Sequence, residues 1–240
     1  MLGPLTDAVR VTAPLRAQID LAHVSASTDV YPIMPDTRFF MNVLRAEDLG
    51  RPALVVDVGC GAAPLATVLA QKLGSTAASI AADISLSAVR VAAETGRRNG
   101  VSLHVARMDL IAALRPGLVD LLAFHSPYVP TTAEALAEGH ARAAAGESSS
   151  TIEAASWTWA GGPFGLAVLQ RLLEALPVQL APGGVAYVLF HSPELPGLEA
   201  LGLSATVVAS NETKTERHYV IRVQRGTQAC TQEQLDSGTP

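Results

Sequence analysis

The chain reads as an α/β domain: a seven-stranded mixed sheet, mostly parallel, with helices on both faces and an antiparallel hairpin at its C-terminal end. Three observations predict this. Short apolar runs rich in valine alternate with helix-length stretches, the pattern of parallel strands joined by crossover helices. The first run leads straight into a glycine turn, Asp57-Val58-Gly59-Cys60-Gly61-Ala62-Ala63. The last two runs, 205–209 and 217–223, are separated by Asn211-Glu212-Thr213-Lys214 with no room for a helix, so they pair as a hairpin.

Taken in order, residues 1–30 alternate short apolar groups with Pro, Ser and Thr and predict an irregular lead-in with at most one helix. Over 37–49, Phe39, Phe40, Val43 and Leu44 recur at helical spacing, with Asp36 or Thr37 as the cap. A buried strand follows at 53–58 and a helix at 64–73. The unit repeats as a strand over 77–82 that ends at Asp83, then a helix over 85–98 stopped by Asn99-Gly100. Further strands are predicted at 101–106, 119–124 and 185–190, with a helix over 166–180 that stops near Pro182-Gly183-Gly184. Residues 133–156 are almost all Ala, Ser, Glu and Gly, an insertion that reads as flexible or weakly helical. The organisation is thus a lead-in (1–30), one domain (31–225) and a polar, disordered tail (226–240).

Composition narrows the function classes. At 240 residues one domain can bury a sizeable core. Charges interrupt every apolar stretch before the roughly 18 to 20 residues a membrane helix needs, and no secretory leader is apparent. Two cysteines, Cys60 and Cys230, suggest neither a disulfide framework nor a zinc site, so a reducing compartment, cytosolic or nuclear, is expected. The net charge of −5 argues against a protein that grips a phosphate backbone. The histidines His23, His104, His140, His191 and His218 show no metal-ligand spacing and read as surface or packing residues.

Four places carry chemistry. In the glycine turn, Gly59 and Gly61 let the backbone approach a ligand, and Asp57 can accept from an amine or hydroxyl. A ligand-free tight turn is the competing reading. Asp83, at the end of the second strand, is placed to grip ribose hydroxyls, or to cap the helix that begins at Ser85. Asp109 and Leu110 follow the third strand, where a carboxylate can reach an adenine amino group or be a plain loop acid. The fourth strand ends in His125-Ser126-Pro127-Tyr128. There an acceptor side chain, a carbonyl fixed by proline and an aromatic ring can hold the two hydrogens of a planar NH2 group and stack on it. The bland alternative is a strand-to-loop turn with a chance aromatic. Trp157 and Trp159 flank a glycine pair and either line a pocket or anchor the loop.

With these residues placed, the chain resembles the class I methyltransferases that carry an Asn-Pro-Pro-Tyr motif, and among them the HemK-like enzymes of the eukaryotic and archaeal branch. The resemblance runs from about His23 to Val223. It rests on Asp29-Val30-Tyr31-Pro32 leading to Asp36-Thr37, the Asp57 turn, Asp83-Ile84, Asp109-Leu110, Ser126-Pro127-Tyr128-Val129 and Trp159-Ala160-Gly161-Gly162. It implies a Rossmann-like fold and S-adenosylmethionine as cofactor, held by Thr37, Asp57, Gly59, Gly61, Asp83, Asp109 and Leu110. It also implies methylation of the glutamine of the Gly-Gly-Gln loop of a class I release factor, with His125 and Tyr128 as catalytic residues and His125, Ser126, Pro127 and Tyr128 meeting the amide. A small zinc-binding activator subunit, covering an apolar sheet edge near the third strand, is the implied partner. Three departures stand out: the motif's asparagine and first proline are His125 and Ser126, the Gly-Arg after the glycine pair is Gly165-Leu166, and the insertion at 133–156 lengthens the loop that faces substrate. A neutral imidazole can accept from the substrate NH2; an imidazolium cannot. Two other functions remain open: amino methylation of a nucleic acid or small molecule, and a non-catalytic cofactor-binding role beside the activator.

Overall fold

A computed structural model describes residues 18–24, 30–148, 155–212 and 216–226. Most of the predicted lead-in, the end of the insertion, the tip of the hairpin and the tail lie outside these residues. Helix α1 (Pro35–Ala46) opens the domain and buries Phe40, Met41, Val43 and Leu44. Strand β1 (Leu54–Val58) passes through the glycine turn into α2 (Pro64–Leu73), which matches the predicted helix. Strand β2 (Ala78–Asp83) leads to α3 (Leu86–Arg98), capped by the Ser85 hydroxyl, which accepts from the Ala88 N–H. Then come β3 (His104–Arg107) and β4 (Val119–His125). A short parallel pair, β5 (Val129–Pro130) and β6 (Ala160–Gly162), brackets α4 (Ala133–Ala145). Helix α5 (Ala167–Gln179), β7 (Leu180–Phe190) and the hairpin β8 (Leu203–Glu212) and β9 (Arg217–Arg225) complete the chain.

Among the described residues the strands lie in the order β3-β2-β1-β4-β7-β9-β8, parallel except where β9 runs against β7 and β8. Helices cover both faces. Leu122 and Phe124 of β4 pack under α5 with Leu169, Leu172, Leu173 and Leu176. The alternate residues Leu121 and Ala123 pack under α1 and α2 with Phe40, Leu44, Leu65 and Leu69. Positions 121–124, covered on both sides, are apolar and read as a continuous run; Asp120 before them accepts from the Ala53 and Leu54 N–H groups.

Four elements differ from their predicted form. Met34, not Asp36 or Thr37, is the residue before α1, and it makes no side-chain cap. Strand β3 starts three residues late, because Leu103 packs tightly against Gly96 of α3 before pairing with β2 begins. Strand β7 starts early: Leu180 already pairs with Val119, and the Gly183-Gly184 stretch forms an irregularity inside the strand instead of ending a helix before it. The start of the insertion is a 13-residue helix, α4, capped by the Thr132 hydroxyl, which accepts from the Ala135 N–H. Alanine-rich sequence has high helix propensity, and the cap supplies the missing start signal.

The β5–β6 pair holds the loop after β4 against the start of α5. Gly165 closes that contact with φ +70°, and a Cβ there would overlap the Tyr128 carbonyl. Gly165→Ala combines a left-handed backbone penalty with overpacking and is expected to destabilise the fold by about 2 to 4 kcal/mol. Chemical denaturation of the variant checks this; a loss under 1 kcal/mol contradicts the packing described.

Candidate active site

The carboxyl ends of β1, β2 and β4 open on one edge of the sheet, the edge at which ligands bind in open parallel sheets. Two hollows lie there, of ≈ 600 and ≈ 700 Å³. They share Tyr31, Gly59, Gly61, His125, Pro127 and Thr158, so they are two ends of one cleft with His125 at the junction.

The first hollow is lined by Asp36, Thr37, Asp57, Gly59, Gly61, Ser126, Tyr128 and Trp159. Asp36 is the pivot of its polar wall. Its Oδ2 lies 3.1 Å from His125 Nε2 and accepts from the Tyr128 hydroxyl at 2.9 Å. Its Oδ1 accepts from the Thr37 N–H at 2.6 Å. Burial alone would raise the Asp36 carboxyl, but the His125 bond and charge, the Tyr128 hydroxyl and the Thr37 N–H outweigh it and hold the group well below the usual carboxylate range. An ionised Asp36 only accepts, so His125 Nε2 carries a proton. The Tyr128 hydroxyl spends its one proton on Asp36 and therefore accepts from His218 Nε2, 2.9 Å away. Glu216 Oε2 lies 3.3 Å from the same nitrogen. Burial, first, and the Asp36 charge push the Tyr128 phenol far up, so it stays protonated.

His218 is a correction to the sequence reading. It is buried and tied to Tyr128, not a surface or packing residue. A histidine on a C-terminal strand gives no local signal; only the pairing of β9 with β7 brings it to this edge. His140 also differs, lining the second hollow from α4, where burial lowers it below the usual histidine range. Asp36 was read as a helix cap, and its place in the site was missed for the same reason. His23 does fit a packing role, bonded to Thr95 of α3.

The second hollow is lined by Gly59, Gly61, Asp83, Ser85, Met108, Asp109, Leu110, His140 and Trp157. Asp83 accepts from the Gly61 N–H through Oδ2 and from the Ser85 N–H through Oδ1, so it fastens the glycine turn to the start of α3 while facing the cleft. Both readings of Asp83 are thereby compatible, since a carboxylate has lone pairs to spare. Asp109 Oδ2 accepts from the Arg171 guanidinium of α5 at 2.6 Å, leaving Oδ1 for anything in the cleft. Leu110 sits beside it at φ +50°, an uncommon backbone state for a residue with a side chain. The Trp157 indole N–H is buried without a partner. Trp157 and Trp159 line the two hollows, and Trp157 also lies under the Arg142 guanidinium; the pocket and anchor roles therefore coincide in one residue.

A profile of the Methyltransferase small domain family matches residues 33–143. Methyltransferase HEMK2 of Homo sapiens is 31% identical over 207 residues, 82% of this chain and 90% of that protein. The chain belongs to the HemK-like methyltransferases. A putative protein N5-glutamine methyltransferase of Methanocaldococcus jannaschii is 25% identical over 176 residues, 71% of this chain and 81% of that protein. The fold matches the structure of the E. cuniculi Mtq2–Trm112 complex with a TM-score of 0.57 at 22% identity, covering 82% of this chain and 99% of that one.

As a HemK-like methyltransferase the chain takes S-adenosylmethionine, and the cleft fits it. Gly59 and Gly61 have positive φ and bring bare backbone to the ligand. Asp83 and Asp109 offer acceptors for hydroxyl and amino groups, and the orphaned Trp157 N–H offers a donor. Asp57 adds a buried carboxyl that accepts from the Ala66 N–H at 2.9 Å.

Two predictions follow from these carboxylates. Burial, eased by the Ala66 N–H and aggravated by the Asp83 charge, pushes Asp57 up to about 7. The unfolded chain loses this proton near about 4, so between those values the folded state holds a proton the unfolded state lacks, and stability falls as pH rises. Asp83, raised chiefly by burial, adds to the same trend. Asp36, shifted the other way, stays ionised throughout this window and contributes no slope. Between pH 5.5 and pH 8 the melting temperature of the cofactor-free protein should therefore shift downward relative to that of Asp57→Asn, a comparison in which the opposite slope of the lowered His140 and His191 cancels; parallel curves for the two proteins refute the assignment. Separately, Asp83→Ala should weaken the cofactor by roughly 10- to 100-fold, the loss of charge-assisted hydrogen bonds. Asp109→Ala should weaken it less, because one of its oxygens already serves Arg171. Calorimetric titration ranks the two, and equal effects contradict the placement.

Proposed function

We propose that the chain methylates the side-chain amide of the glutamine in the Gly-Gly-Gln loop of a class I translation release factor. The observation that carries this reading is the grouping of His125, Ser126-Pro127 and Tyr128 at the junction of the two hollows. Bound S-adenosylmethionine supplies a methyl group on a positively charged sulfur. Everything else is the work of the chain's own residues. His125 Nδ1, bare in the tautomer that Asp36 imposes, accepts one hydrogen of the substrate NH2. The backbone carbonyl beside Pro127 accepts the other, which turns the nitrogen's electrons toward the methyl donor. The Tyr128 ring stacks on the planar amide, and its hydroxyl, held between Asp36 and His218, fixes the ring in place. Supporting the choice of acceptor, a Release factor glutamine methyltransferase of Moorella thermoacetica is 32% identical over 133 residues, 55% of this chain and 43% of that protein. The E. cuniculi complex of like fold methylates the termination factor eRF1.

The same reading gives the chain a small, zinc-binding activator as heterodimer partner and a place in the cytosol. In the E. cuniculi complex the companion is Trm112. Strand β3 is an edge strand with one side of its backbone unpaired, a ready site for an added strand. The edge is less apolar than the sequence suggested. Its ends, His104 and Arg107, are exposed, and the exposed large apolar residues, Met34, Leu118, Val129, Phe164 and Val178, lie elsewhere. What β3 offers a partner is main chain more than side chain.

The test is transfer of labelled methyl onto a purified release factor, with and without the activator. Label is expected on the motif glutamine, increased by the activator, and absent when that glutamine is replaced by glutamate. Label that survives the replacement overturns the acceptor assignment. Cofactor binding with no transfer to any release factor favours the non-catalytic role.

A further inference from the structure

Asp36 is a buried carboxylate whose partners beyond its own turn, His125 and Tyr128, both belong to the site. It is not the residue before α1, which is Met34; one of its oxygens accepts from the Thr37 N–H in the first turn, and the other faces the site. With 5% exposure it is a costly residue to bury, tolerable because each oxygen is bonded. A carboxylate that fixes one ring nitrogen of a histidine leaves the other as a positioned base, as in hydrolase triads. His125 meets this description. Its Nε2 faces Asp36, its Nδ1 has no bond to a described residue, and the ring lines both halves of the cleft. An asparagine at that position orients an NH2 group but cannot take a proton from it.

We propose that Asp36 and His125 form a proton-accepting pair, in which His125 Nδ1 removes the proton that the substrate nitrogen sheds on methylation and Asp36 acts as positioning residue. This rests on the methyltransfer reading above and deepens it. As the nitrogen–carbon bond forms, the carbon–sulfur bond breaks with its electron pair left on sulfur. The nitrogen–hydrogen bond breaks with its pair kept by nitrogen, and the proton passes to Nδ1. The resulting imidazolium is stabilised by the Asp36 carboxylate until the proton leaves to water. Asp36 is ionised at every working pH, so it is ready for this role without titrating.

The titratable groups facing the pair are Tyr31, edge-on to the His125 ring, and Tyr128, stacked on it. His191 from the end of β7 and His218 with Glu216 at the start of β9 stand behind Tyr128. Asp57 lines the same hollow. His191 is itself lowered, by burial first and then by His218, which leaves His125 the ring in direct contact with a buried carboxylate.

Three measurements decide the matter. In the cofactor-free protein, nitrogen NMR of the neutral imidazole should show His125 protonated on Nε2 and bare on Nδ1; the opposite tautomer overturns the proposal. Asp36→Asn should lower turnover by roughly 100-fold or more, the scale of a lost general base, with the release factor's KM and cofactor affinity changed less than about threefold. In a double-mutant cycle, Asp36→Asn should add little to His125→Asn, since it acts through the ring that is already gone. The wild-type rate should fall on acidification, and His125→Asn should abolish that fall. A full additional loss in the double variant, or an acid limb shared by wild type and His125→Asn, overturns the pair. If Asp36→Asn does not fold, the wild-type ring tautomer and the His125→Asn profile still decide. A wild type that binds cofactor but labels no release factor counts against the acceptor alone, and the pair is then judged on the tautomer.

Discussion

The constraint on which the rest of the molecule depends is the double burial of β4. It lies between β1 and β7, with α1 and α2 on one side and α5 on the other. Past Asp120, whose carboxylate accepts from the Ala53 and Leu54 N–H groups at the strand's start, its side chains are apolar until it emerges at His125. Strands β1 and β2 likewise reach this edge with the acids Asp57 and Asp83. Parallel strands released from the core at the same edge gather their polar ends into one cleft. The catalytic geometry is therefore a consequence of how the core is filled.

Electrostatically, the cleft divides into two kinds of carboxylate. Asp36 is surrounded by hydrogen-bond donors and held in its charged form; Asp57 and Asp83 are dominated by burial and pushed toward theirs without charge. Groups pushed in opposite directions within one site are suited to different tasks. The pair beside the glycine turn would be held in its charged form by a ligand that carries positive charge. Asp36 is already satisfied by the protein, and so it constrains His125 and Tyr128 before any ligand arrives.

The histidine that stands where the family motif has asparagine is tied into the fold: Asp36 in α1 fixes its tautomer, and His218 in β9 fixes the neighbouring phenol. These three residues come from distant parts of the chain and converge on Tyr128. A lone histidine at a strand end would leave its tautomer and ring angle undetermined; here both are set by bonds that need no water.

The sequence by itself determined the alternation of strands and helices, the glycine turn, the antiparallel ending and the acids at strand ends, because each rests on a local period or a short run of residue types. Helix α2 and the Asp83–Ser85 junction are of this kind. It also singled out His125 and Tyr128, since a polar group and a ring closing an apolar run need no distant partner to be noticed. Tertiary structure alone decided what those residues touch. Asp36 looked like a helix cap and His218 like packing, because nothing near them in sequence reveals a partner 90 residues away. Their meaning is fixed by strand order: β9 inserted between β7 and β8 and α1 laid over β4 bring Asp36 and His218 to one hydroxyl, and strand order is a property of long-range packing that no local pattern encodes.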